Sequence, residues 1–383
     1  MKKRHPLVIF AAALACMLGL LGGPVVSQQN PSPGVKSQIT DYAQRERTAS
    51  QQIQTLLKNL RSQIQERKLT FQVGYTTALD IPLEKLAGTR PPSDEQIKVE
   101  AQKINSEATE LLQYDTSARE SYLKLHPGGL KAFFPTCAGL GAVDLRKNNK
   151  VTPVRNQLSC GSCWDFAAMG AFESSYAVVN NVLVNTSEQQ ILDCSGGGSC
   201  AGGWWMPVFN FLISKGAANA SLYPYTGAQA PCKTSVPTPY RAVAWGYVDA
   251  NGGIPTQQQI KQALCKYGAL AVGVYVSPAF QAYTGGVFNE QINTSGINHG
   301  VTLIGWDDSK GAWLIKNSWG TGWGETGGYG TSRGFMWIAF GSNRIGDHAA
   351  WVQARNTVYH LPPIFDQRIQ ILKPLPSQFL QSR

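Results

Sequence analysis

The first third of the chain carries two helical patterns separated by a short irregular stretch. Residues 50–67 and 94–113 place an apolar residue at every third or fourth position, which is the spacing of one helix face. Residues 71–86, between them, favour a strand followed by turns. The apolar positions are Ile53, Leu56, Leu57, Leu60 and Ile64 in the first helix and Ile97, Ala101, Ile104, Ala108 and Leu111 in the second. This pattern predicts a small helical module.

The pattern changes after about residue 133, where glycine, tryptophan, tyrosine and cysteine become frequent. Residues 163–179 and 187–193 predict two further helices, and Ser187 with Gln190 has the spacing of a capping box. Beyond residue 242 the chain becomes β-rich, with turn residues between the runs. The predicted strands are 269–276, 299–306, 312–316 and 334–340. Helices first and strands second predict an α+β domain of two lobes.

The N-terminus has the parts of an export signal. Residues 2–4 are basic, residues 7–21 form an apolar run of signal-peptide length, and small residues follow at 25–27. The sequence before Cys16 weakly resembles a lipoprotein box, but the apolar run continues past this cysteine. We therefore expect residues 1–27 to be a signal peptide and the protein to be secreted or extracytoplasmic.

Composition and charge indicate which classes of binding partner the sequence favours. The 383 residues carry a net charge of +10, yet only 15% are charged and the basic residues are not clustered. A nucleic-acid-binding protein would need a basic stripe or a known module, and neither is found in the sequence. No later run has the length and apolarity of a membrane span. We expect no nucleic-acid partner, no membrane partner after signal removal, and a monomer.

Cysteine usage raises a question about Cys160 and Cys163, which have C-x-x-C spacing. The chain has 8 cysteines, and loss of Cys16 with the signal would leave an odd number and one free thiol. The spacing fits a redox pair, half of a zinc site, or a disulfide half beside a nucleophile. A redox pair usually lies in a compact βαβ unit. A zinc site needs a second ligand pair at suitable spacing, whereas Cys194 and Cys200 lie six residues apart beside three glycines.

A nucleophile is the interpretation that accounts for most of the remaining sequence. Cys163 begins a predicted helix, whose N-terminal N–H groups and dipole stabilise a thiolate. His299 on one predicted strand and Asn317 at the end of the next could form a base and the residue that orients it. Trp319 could cover their hydrogen bond. Gln157 could donate its amide to an oxyanion.

These residues resemble the papain family of cysteine proteases over roughly residues 135–352. The motifs that carry the resemblance are QLSCGSCW (157–164), Cys194 to Gly203, Tyr223-Pro224-Tyr225, Asn298-His299-Gly300, and KNSWGTGWG (316–324). The resemblance implies a papain-like α+β fold, with a helical left lobe, a β-barrel-like right lobe and an active-site cleft between them. It implies that Cys163 is the nucleophile, His299 its base, Asn317 the orienting residue and Gln157 the oxyanion donor.

The resemblance also assigns the cysteines. It implies the disulfides Cys160–Cys200 and Cys194–Cys232, which leaves Cys163 as the free thiol. Cys137 and Cys265 remain, either as a third pair or as two buried free thiols. No cysteine follows Cys265, so the family's common third bridge has no counterpart here.

The N-terminal module resembles a cathepsin L-like pro-segment, an inhibitory segment that runs backwards through the cleft. Gly74-x-Thr76-x-Ala78-x-Asp80 matches the family motif Gly-x-Asn-x-Phe-x-Asp at two of its four positions. The expected organisation is a signal peptide (1–27), a helical inhibitory pro-segment (28–130), a papain-like peptidase domain (131–355) and an extended C-terminal tail (356–383).

Substrate-binding residues are expected along the cleft. The resemblance implies that the backbone of Gly202 and Gly203 pairs with the substrate and that Trp204 and Trp205 form a wall of the pocket for the residue one before the scissile residue; ordinary packing is the alternative for both tryptophans. Further expected contacts are Asn298, Trp319, Trp323, Gly273 and Ala350. Such a pocket favours an apolar residue. The short segment between Cys194 and Gly202 leaves no room for the histidine-bearing loop of cathepsin B, which favours an endopeptidase.

Three features depart from the pattern or stay unassigned. Asp165 lies where the family has a small residue, and residues 327–333 look like a hairpin insertion without an evident function. His348 is expected to be structural.

The sequence thus predicts a secreted cysteine endopeptidase made as a zymogen, acting through an acyl-enzyme on Cys163 on protein or peptide substrates. Its pro-segment is the expected intramolecular inhibitor. No metal or other cofactor is expected. The alternatives are a catalytically inactive peptide-binding relative and, more remotely, a thiol–disulfide oxidoreductase.

Overall fold

The computed structural model describes residues 41–130 and 137–371, so the expected signal peptide and the end of the tail lie outside the described residues. The helices are α1 (Gln51–Glu66), α2 (Leu83–Leu86), α3 (Asp94–Leu125), α4 (Cys163–Asn180), α5 (Glu188–Cys194), α6 (Trp205–Ser214), α7 (Gln257–Tyr267), α8 (Pro278–Gln281) and α9 (Pro363–Ile371). The strands are β1 (Phe71–Val73), β2 (Ala142–Asp144), β3 (Gly198–Ser199), β4 (Gly202–Gly203), β5 (Ala242–Tyr247), β6 (Leu270–Val274), β7 (Tyr283–Phe288), β8 (His299–Asp307), β9 (Ala312–Lys316), β10 (Phe335–Ala339) and β11 (Asp347–Ala354).

One large sheet forms the β-rich lobe. Its strand order is β1-β7-β10-β9-β8-β6-β11-β5, and β2 pairs additionally with β8. The α+β two-lobe arrangement expected from the sequence is therefore confirmed. The barrel-like closure is not, because β1 and β5 end the described sheet as separate edges and do not pair with each other. The long strand β8 is central, and it carries His299 at its first position.

Helix α4 is the spine of the helical lobe. It packs against β6, β8 and β11 of the sheet and against α6, so it lies between the two lobes. All its residues from Cys163 to Ala177 are buried, and the helix ends where Asn181 adopts a left-handed conformation (φ 55°). Small side chains such as Ala167, Ala168 and Ala171 allow this close packing on several sides. The buried helix holds Cys163 rigidly at the lobe boundary.

Helix α5 shows half of the expected capping box. Ser187 accepts a hydrogen bond from the backbone N–H of Gln190 (3.0 Å). The Gln190 side chain does not return to the cap. Its Oε1 accepts instead from the backbone N–H of Ala218 (2.7 Å). Because the side chain of Gln190 is buried, a tertiary partner has replaced the local one.

The N-terminal module docks on the sheet rather than standing apart. Helix α1 begins after Ser50, whose side chain caps it by accepting from the Ile53 N–H, and it buries Leu57 and Leu60. Strand β1 then adds to the sheet by pairing antiparallel with β7. Within the Gly74–Asp80 motif, the buried Thr76 hydroxyl donates to the Gln281 carbonyl (2.7 Å). The module and the sheet therefore share one hydrophobic core.

Two elements are longer or more regular than the sequence predicts. Helix α3 continues 12 residues past position 113, because Tyr114, Ala118 and Tyr122 extend its apolar face and pack against the core. The tail was expected to be extended, but Pro363–Ile371 form a helix. Proline is compatible with the first turn of a helix, where its missing N–H has no partner to lose. Its Phe365 side chain is fully buried in the hydrophobic core, which stabilises the helix against the rest of the protein.

Three disulfides are present among the described residues: Cys137–Cys265, Cys160–Cys200 and Cys194–Cys232. They include both pairs that the resemblance implies and the third candidate pair. Cys163 is the free cysteine of this part of the chain, and it is buried. Within the same residues, no helix combines the length and the apolarity needed to cross a membrane.

Candidate active site

Cys163 is the first residue of α4, and Ser162 before it makes no side-chain cap to the helix. Burial by itself would raise the pKa of the Cys163 thiol. The nearby His299, followed by hydrogen bonds from Thr89 and the Gly300 backbone, outweighs burial and lowers this pKa to about 7. The thiol is thus poised to lose its proton near neutral pH, which is the form that a nucleophile needs.

His299 and Asn317 form the hydrogen bond that their strands were expected to permit. Nε2 of His299 donates to Oδ1 of Asn317 (2.9 Å). The same Oδ1 accepts from the backbone N–H of Ser318 (2.8 Å), so it is the acceptor and Nε2 must carry a proton. Nδ1 is buried and has no hydrogen-bond partner among the described residues, which leaves its lone pair free to accept a proton. The Trp319 ring lies 4.8 Å from the His299 ring and shields this pair.

Gln157 is held with its amide facing a carbonyl oxygen. Its Oε1 accepts from the Ser318 hydroxyl (2.7 Å), which fixes the side chain. Its Nε2 donates to the carbonyl oxygens of Cys160 (2.9 Å) and of Leu86 (3.0 Å). Leu86 belongs to the N-terminal module, so a carbonyl of that module occupies the position where an oxyanion would be stabilised.

The N-terminal module crosses directly over the thiol. The backbone N–H of Gly88 donates to Sγ of Cys163 (3.2 Å), and the Thr89 hydroxyl lies 3.2 Å from the same sulfur. The backbone of Thr89 donates to the carbonyl of Asn298 (3.0 Å). Gly203 accepts from Arg90 and donates to Gly88, both at 2.9 Å. The segment therefore fills the cleft through backbone contacts.

The segment presents no electrophilic atom to the sulfur of Cys163. The atoms that meet the sulfur are an N–H and a hydroxyl, and neither is electrophilic. Thr89 forms a parallel bridge with Gly203. The residues that lie beside Gly203, 88–90, come after Leu86, whose carbonyl meets Gln157.

Comparison with known proteins decides the family. Residues 141–343 match the model of the papain family cysteine protease. The chain is 40% identical over 193 residues to ananain from Ananas comosus, which covers 49% of this chain and 54% of ananain. It is 41% identical over 190 residues to cathepsin L 1 from Paramecium tetraurelia, covering 48% of this chain and 57% of that protein. The chain thus matches little more than half the length of these two relatives.

The chain belongs to the papain family of cysteine proteases. The structure of a recombinant stem bromelain precursor is similar as well, with 26% identity and a TM-score of 0.59. This likeness covers 83% of the present chain and 97% of that structure, so it extends beyond the region matched by the family model.

In this papain-family cleft, the expected wall of the specificity pocket is made of two stacked indoles. The rings of Trp204 and Trp205 lie 3.8 Å apart, and both are buried. The Trp204 N–H donates to the hydroxyl of Tyr247 (3.2 Å), which fixes its orientation. The His348 ring packs edge-on against Trp204 at 5.4 Å. His348 therefore contacts one of the two residues expected to form the wall, and its structural role stays a prediction.

The remaining expected contacts differ in what the structure places around them. A Cβ on Gly273 would lie 2.3 Å from a methyl carbon of Ile297, so this glycine makes room for Ile297 beside Asn298. Ala350 is buried between β5 and β6. Trp323 is fully buried and packs on Trp319 at 5.4 Å, which gives it a supporting position.

A buried charge cluster next to the site was not identified from the sequence. Arg155 bridges Glu173 (3.1 Å) and Glu188 (3.2 Å), and Lys316 donates to Thr152 nearby. Burial raises the pKa of Glu188, and the nearby Arg155 opposes this rise. A small cavity between these residues also touches Asn317 and Ser318. Charged residues that are far apart in sequence give no local pattern, so only the fold could reveal the cluster.

Asp165 is buried without compensation. Neither of its oxygens has a hydrogen-bond partner among the described residues. Burial, followed by the negative charges of Glu188, Asp193 and Cys163, raises the pKa of Asp165 well above its usual value. Burial therefore favours the neutral form of Asp165, which reduces the negative charge beside the thiol.

Sequence reasoning found the pro-segment motif but missed the residues that occupy the cleft. Leu86, Gly88, Thr89 and Arg90 supply the contacts with the catalytic residues and with Gly203. The available signal was the run of small residues in Ala87-Gly88-Thr89, which permits close approach of two backbones.

Proposed function

We propose that the protein is a secreted cysteine endopeptidase made as a zymogen. Residues 1–27 act as the signal peptide, residues 28–130 as the inhibitory pro-segment, and residues 131–355 as the peptidase. The observation that carries the proposal is the convergence of Cys163, the His299–Asn317 pair and the Gln157 amide on a carbonyl-bearing backbone in the cleft. The three disulfides support export to an oxidising compartment.

The geometry supports acyl transfer in two halves. Nδ1 of His299 takes the Cys163 proton, and the thiolate attacks the scissile carbonyl carbon. The carbonyl oxygen becomes an oxyanion that accepts a hydrogen bond from Nε2 of Gln157. His299 then gives the proton to the departing amine, which leaves a thioester on Cys163. In the second half, His299 removes a proton from water, which attacks the thioester and releases the acid and the thiol.

Asn317 ensures that Nδ1 of His299, and not Nε2, accepts and donates the proton in both halves of the reaction. By accepting from Nε2 it holds the second proton there, so Nδ1 remains the basic atom. When Nδ1 is protonated, the imidazolium and the Asn317 oxygen remain hydrogen-bonded. Trp319 excludes water from this bond, which strengthens it in the low-dielectric site.

The cleft favours an apolar side chain one residue before the scissile residue. Trp204, Trp205, Ile297 and Ala350 belong to one hydrophobic cluster around the pocket. The tight β3–β4 turn between Cys194 and Trp204 leaves the cleft free of an added closing loop, which supports internal cleavage over dipeptide removal.

The proposal is tested with the full-length protein at mildly acidic pH with a reducing agent. We expect wild type to shorten itself by about 100 residues, the length of the proposed pro-segment, and then to hydrolyse a fluorogenic Phe-Arg-type dipeptide amide. Cys163→Ala should do neither. If an external protease removes the pro-segment and wild type still does not hydrolyse a panel of apolar-containing substrates, the alternative of an inactive peptide-binding relative holds.

The oxidoreductase alternative makes a different demand. It needs Cys160 and Cys163 to exchange a disulfide, but Cys160 is paired with Cys200. Insulin-reduction activity that survives His299→Ala would support that alternative, whereas its absence in both proteins supports hydrolysis.

A further inference from the structure

Two segments that lie outside the family match pack against each other. The match covers residues 141–343, whereas α3 precedes it and the C-terminal segment, residues 356–371, follows it. These segments are more than 230 residues apart in sequence but adjacent in space, with Tyr359 reaching Asp115.

Two polar contacts join them. The Tyr359 hydroxyl donates to Oδ1 of Asp115 (2.8 Å), and both side chains are buried. Arg368 donates through Nε and one terminal nitrogen to the two oxygens of Glu110 (2.8 and 2.9 Å). A pair in which two arginine nitrogens bind both carboxylate oxygens fixes the distance and the orientation of the two side chains. It therefore fixes the register of α9 against α3.

Aromatic contacts fill the space between these polar pairs. The ring of Tyr114 meets the ring of Phe365 edge-on at 6.1 Å, and Phe365 is fully buried. The Tyr122 ring lies 6.2 Å from the Tyr359 ring, about two helical turns further along α3. The three α3 residues Tyr114, Ala118 and Tyr122 are those that lengthen this helix beyond its predicted end.

The C-terminal segment is fastened to the peptidase independently of α3. Asn180, at the end of α4, donates to the carbonyl of Arg355 (3.1 Å) and accepts from the N–H of Thr357 (2.9 Å). Arg355 lies over the Phe365 ring at 5.6 Å and pairs with Asp366. This segment therefore stays with the peptidase when the pro-segment is cut off, whereas α3 belongs to the part that is removed.

The first half of α3 covers the other part of this surface, the edge strand β5. Oδ1 of Asn105 accepts from the Tyr247 N–H (2.9 Å), a donor on the open edge of the sheet. Ile97 packs closely over Gly252, where a Cβ would lie 2.4 Å from its methyl group. A 32-residue helix is thus held along most of its length.

We propose that β5 and the C-terminal segment form a docking surface for α3, which retains the pro-segment on the peptidase after the connecting chain is cut. This inference rests on the proposed function, and it adds a second attachment outside the cleft. Only three residues lie between Arg90, at Gly203, and Asp94, the start of α3. Each attachment therefore keeps the other at high effective concentration, and the pro-segment leaves only when both open.

The test uses the full-length Cys163→Ala chain with residues 131–136 replaced by the recognition sequence of a site-specific protease. After complete cleavage, we measure release of the pro-segment by size-exclusion chromatography and by its dissociation rate on dilution. We expect the parent to retain the pro-segment. Arg368→Glu should release it about tenfold faster, because it places two like charges together. Tyr359→Phe should release it several-fold faster, because Asp115 loses its buried partner.

Two further variants keep the outcome decisive. Glu110→Arg combined with Arg368→Glu should restore retention to within about threefold of the parent. Glu120→Arg makes the same charge change at an exposed position of α3 and should leave release unchanged. Immediate release from the parent, equal release from Arg368→Glu, or failure of the charge exchange to restore retention overturns the proposal. The assay contains no catalysis, so its outcome is separate from that of the peptidase test.

Discussion

Gly88 of the pro-segment and Gly161 of the peptidase pass each other with no side chain between them. A Cβ on Gly88 would lie 1.8 Å from the carbonyl oxygen of Gly161, and that atom is backbone, which cannot rotate away. The approach also brings the Gly88 N–H to the catalytic sulfur. Inhibition in the cleft thus depends on a missing methyl group.

Gly88→Ala should therefore weaken inhibition while leaving the mature enzyme unchanged. The added methyl forces the backbone off the thiol, so we expect the lag before activity to shorten roughly tenfold, equivalent to about 1.4 kcal/mol. The measurement is the time to half-maximal hydrolysis of a dipeptide amide after a shift to mildly acidic pH. Gly141→Ala is the matched control, because a Cβ there meets nothing within 4 Å. An unaltered lag in Gly88→Ala would contradict the expectation.

Asn317→Ala should lower kcat far more than it changes KM. Without the Oδ1 acceptor, Nε2 of His299 loses its partner and the imidazole no longer keeps its basic Nδ1 toward the thiol. We expect kcat to fall roughly 10- to 100-fold, part of the usual worth of general-base catalysis. Steady-state kinetics on the processed enzyme provide the measurement, with exposed Asn148→Ala as control. A rise in KM at constant kcat would instead indicate a role in substrate binding.

Asp165 should make stability fall as pH rises. Its pKa is raised in the folded state, first by burial, whereas in the unfolded chain it is about 3.9. Above pH 4 the folded state therefore binds more protons than the unfolded state, and the free energy of unfolding decreases toward the folded pKa. Asp165→Ala and Asp165→Asn should remove this slope.

We expect Asp165→Ala, in the inactive Cys163→Ala background, to be more stable than its parent at pH 7 by about 1–3 kcal/mol, the usual cost of burying an unpartnered polar group. The advantage should shrink as pH falls toward 4. Urea unfolding at several pH values gives the comparison. If the difference between variant and parent stays constant with pH, Asp165 does not titrate in the manner inferred.

Arg333 ends the 327–333 insertion, and its contacts suggest a use for that segment. It donates to Asp41 (2.8 Å) and lies over the Tyr42 ring at 4.2 Å, while the Tyr42 hydroxyl donates to the Gly324 carbonyl. Arg333→Ala should loosen the start of the described pro-segment and shorten the activation lag by two- to fivefold. Arg333→Lys keeps the charge without the planar stacking and should fall between. If wild type, Arg333→Ala and Arg333→Lys have the same activation lag, the insertion does not contribute to inhibition through Arg333.

The sequence could single out the proposed site residues because they lie in dense local motifs. Cys163, His299 and Asn317 each have distinctive neighbours, and strand spacing alone brings the last two together. The elements were predictable where periodicity was strong, as in α1, whose apolar face follows helical spacing.

The rest depends on contacts between distant parts of the chain. Polar residues at 115–117 interrupt the pattern of α3, and only packing against Tyr359 and Phe365 shows why that helix continues. Pro362 and Pro363 suggested an extended tail, but a buried Phe365 stabilises a helix that proline merely begins. The sequence could not show that the carboxyl of Asp165 has no partner, because residues adjacent in a helix point in different directions and do not surround one another. Each of these depends on three-dimensional neighbours.

Because of the Cys137–Cys265 disulfide, it matters whether the pro-segment is cut off before or after Cys137. A cut within 131–136 leaves Cys137 on the peptidase, and the new N-terminus is then tethered to α7 by a covalent bond. A cut a few residues later would leave Cys137 on the pro-segment, and the two pieces would remain one molecule until a reductant separated them. The side of Cys137 on which the chain is cut would thus distinguish a protease released by cleavage alone from one that also requires a reducing environment.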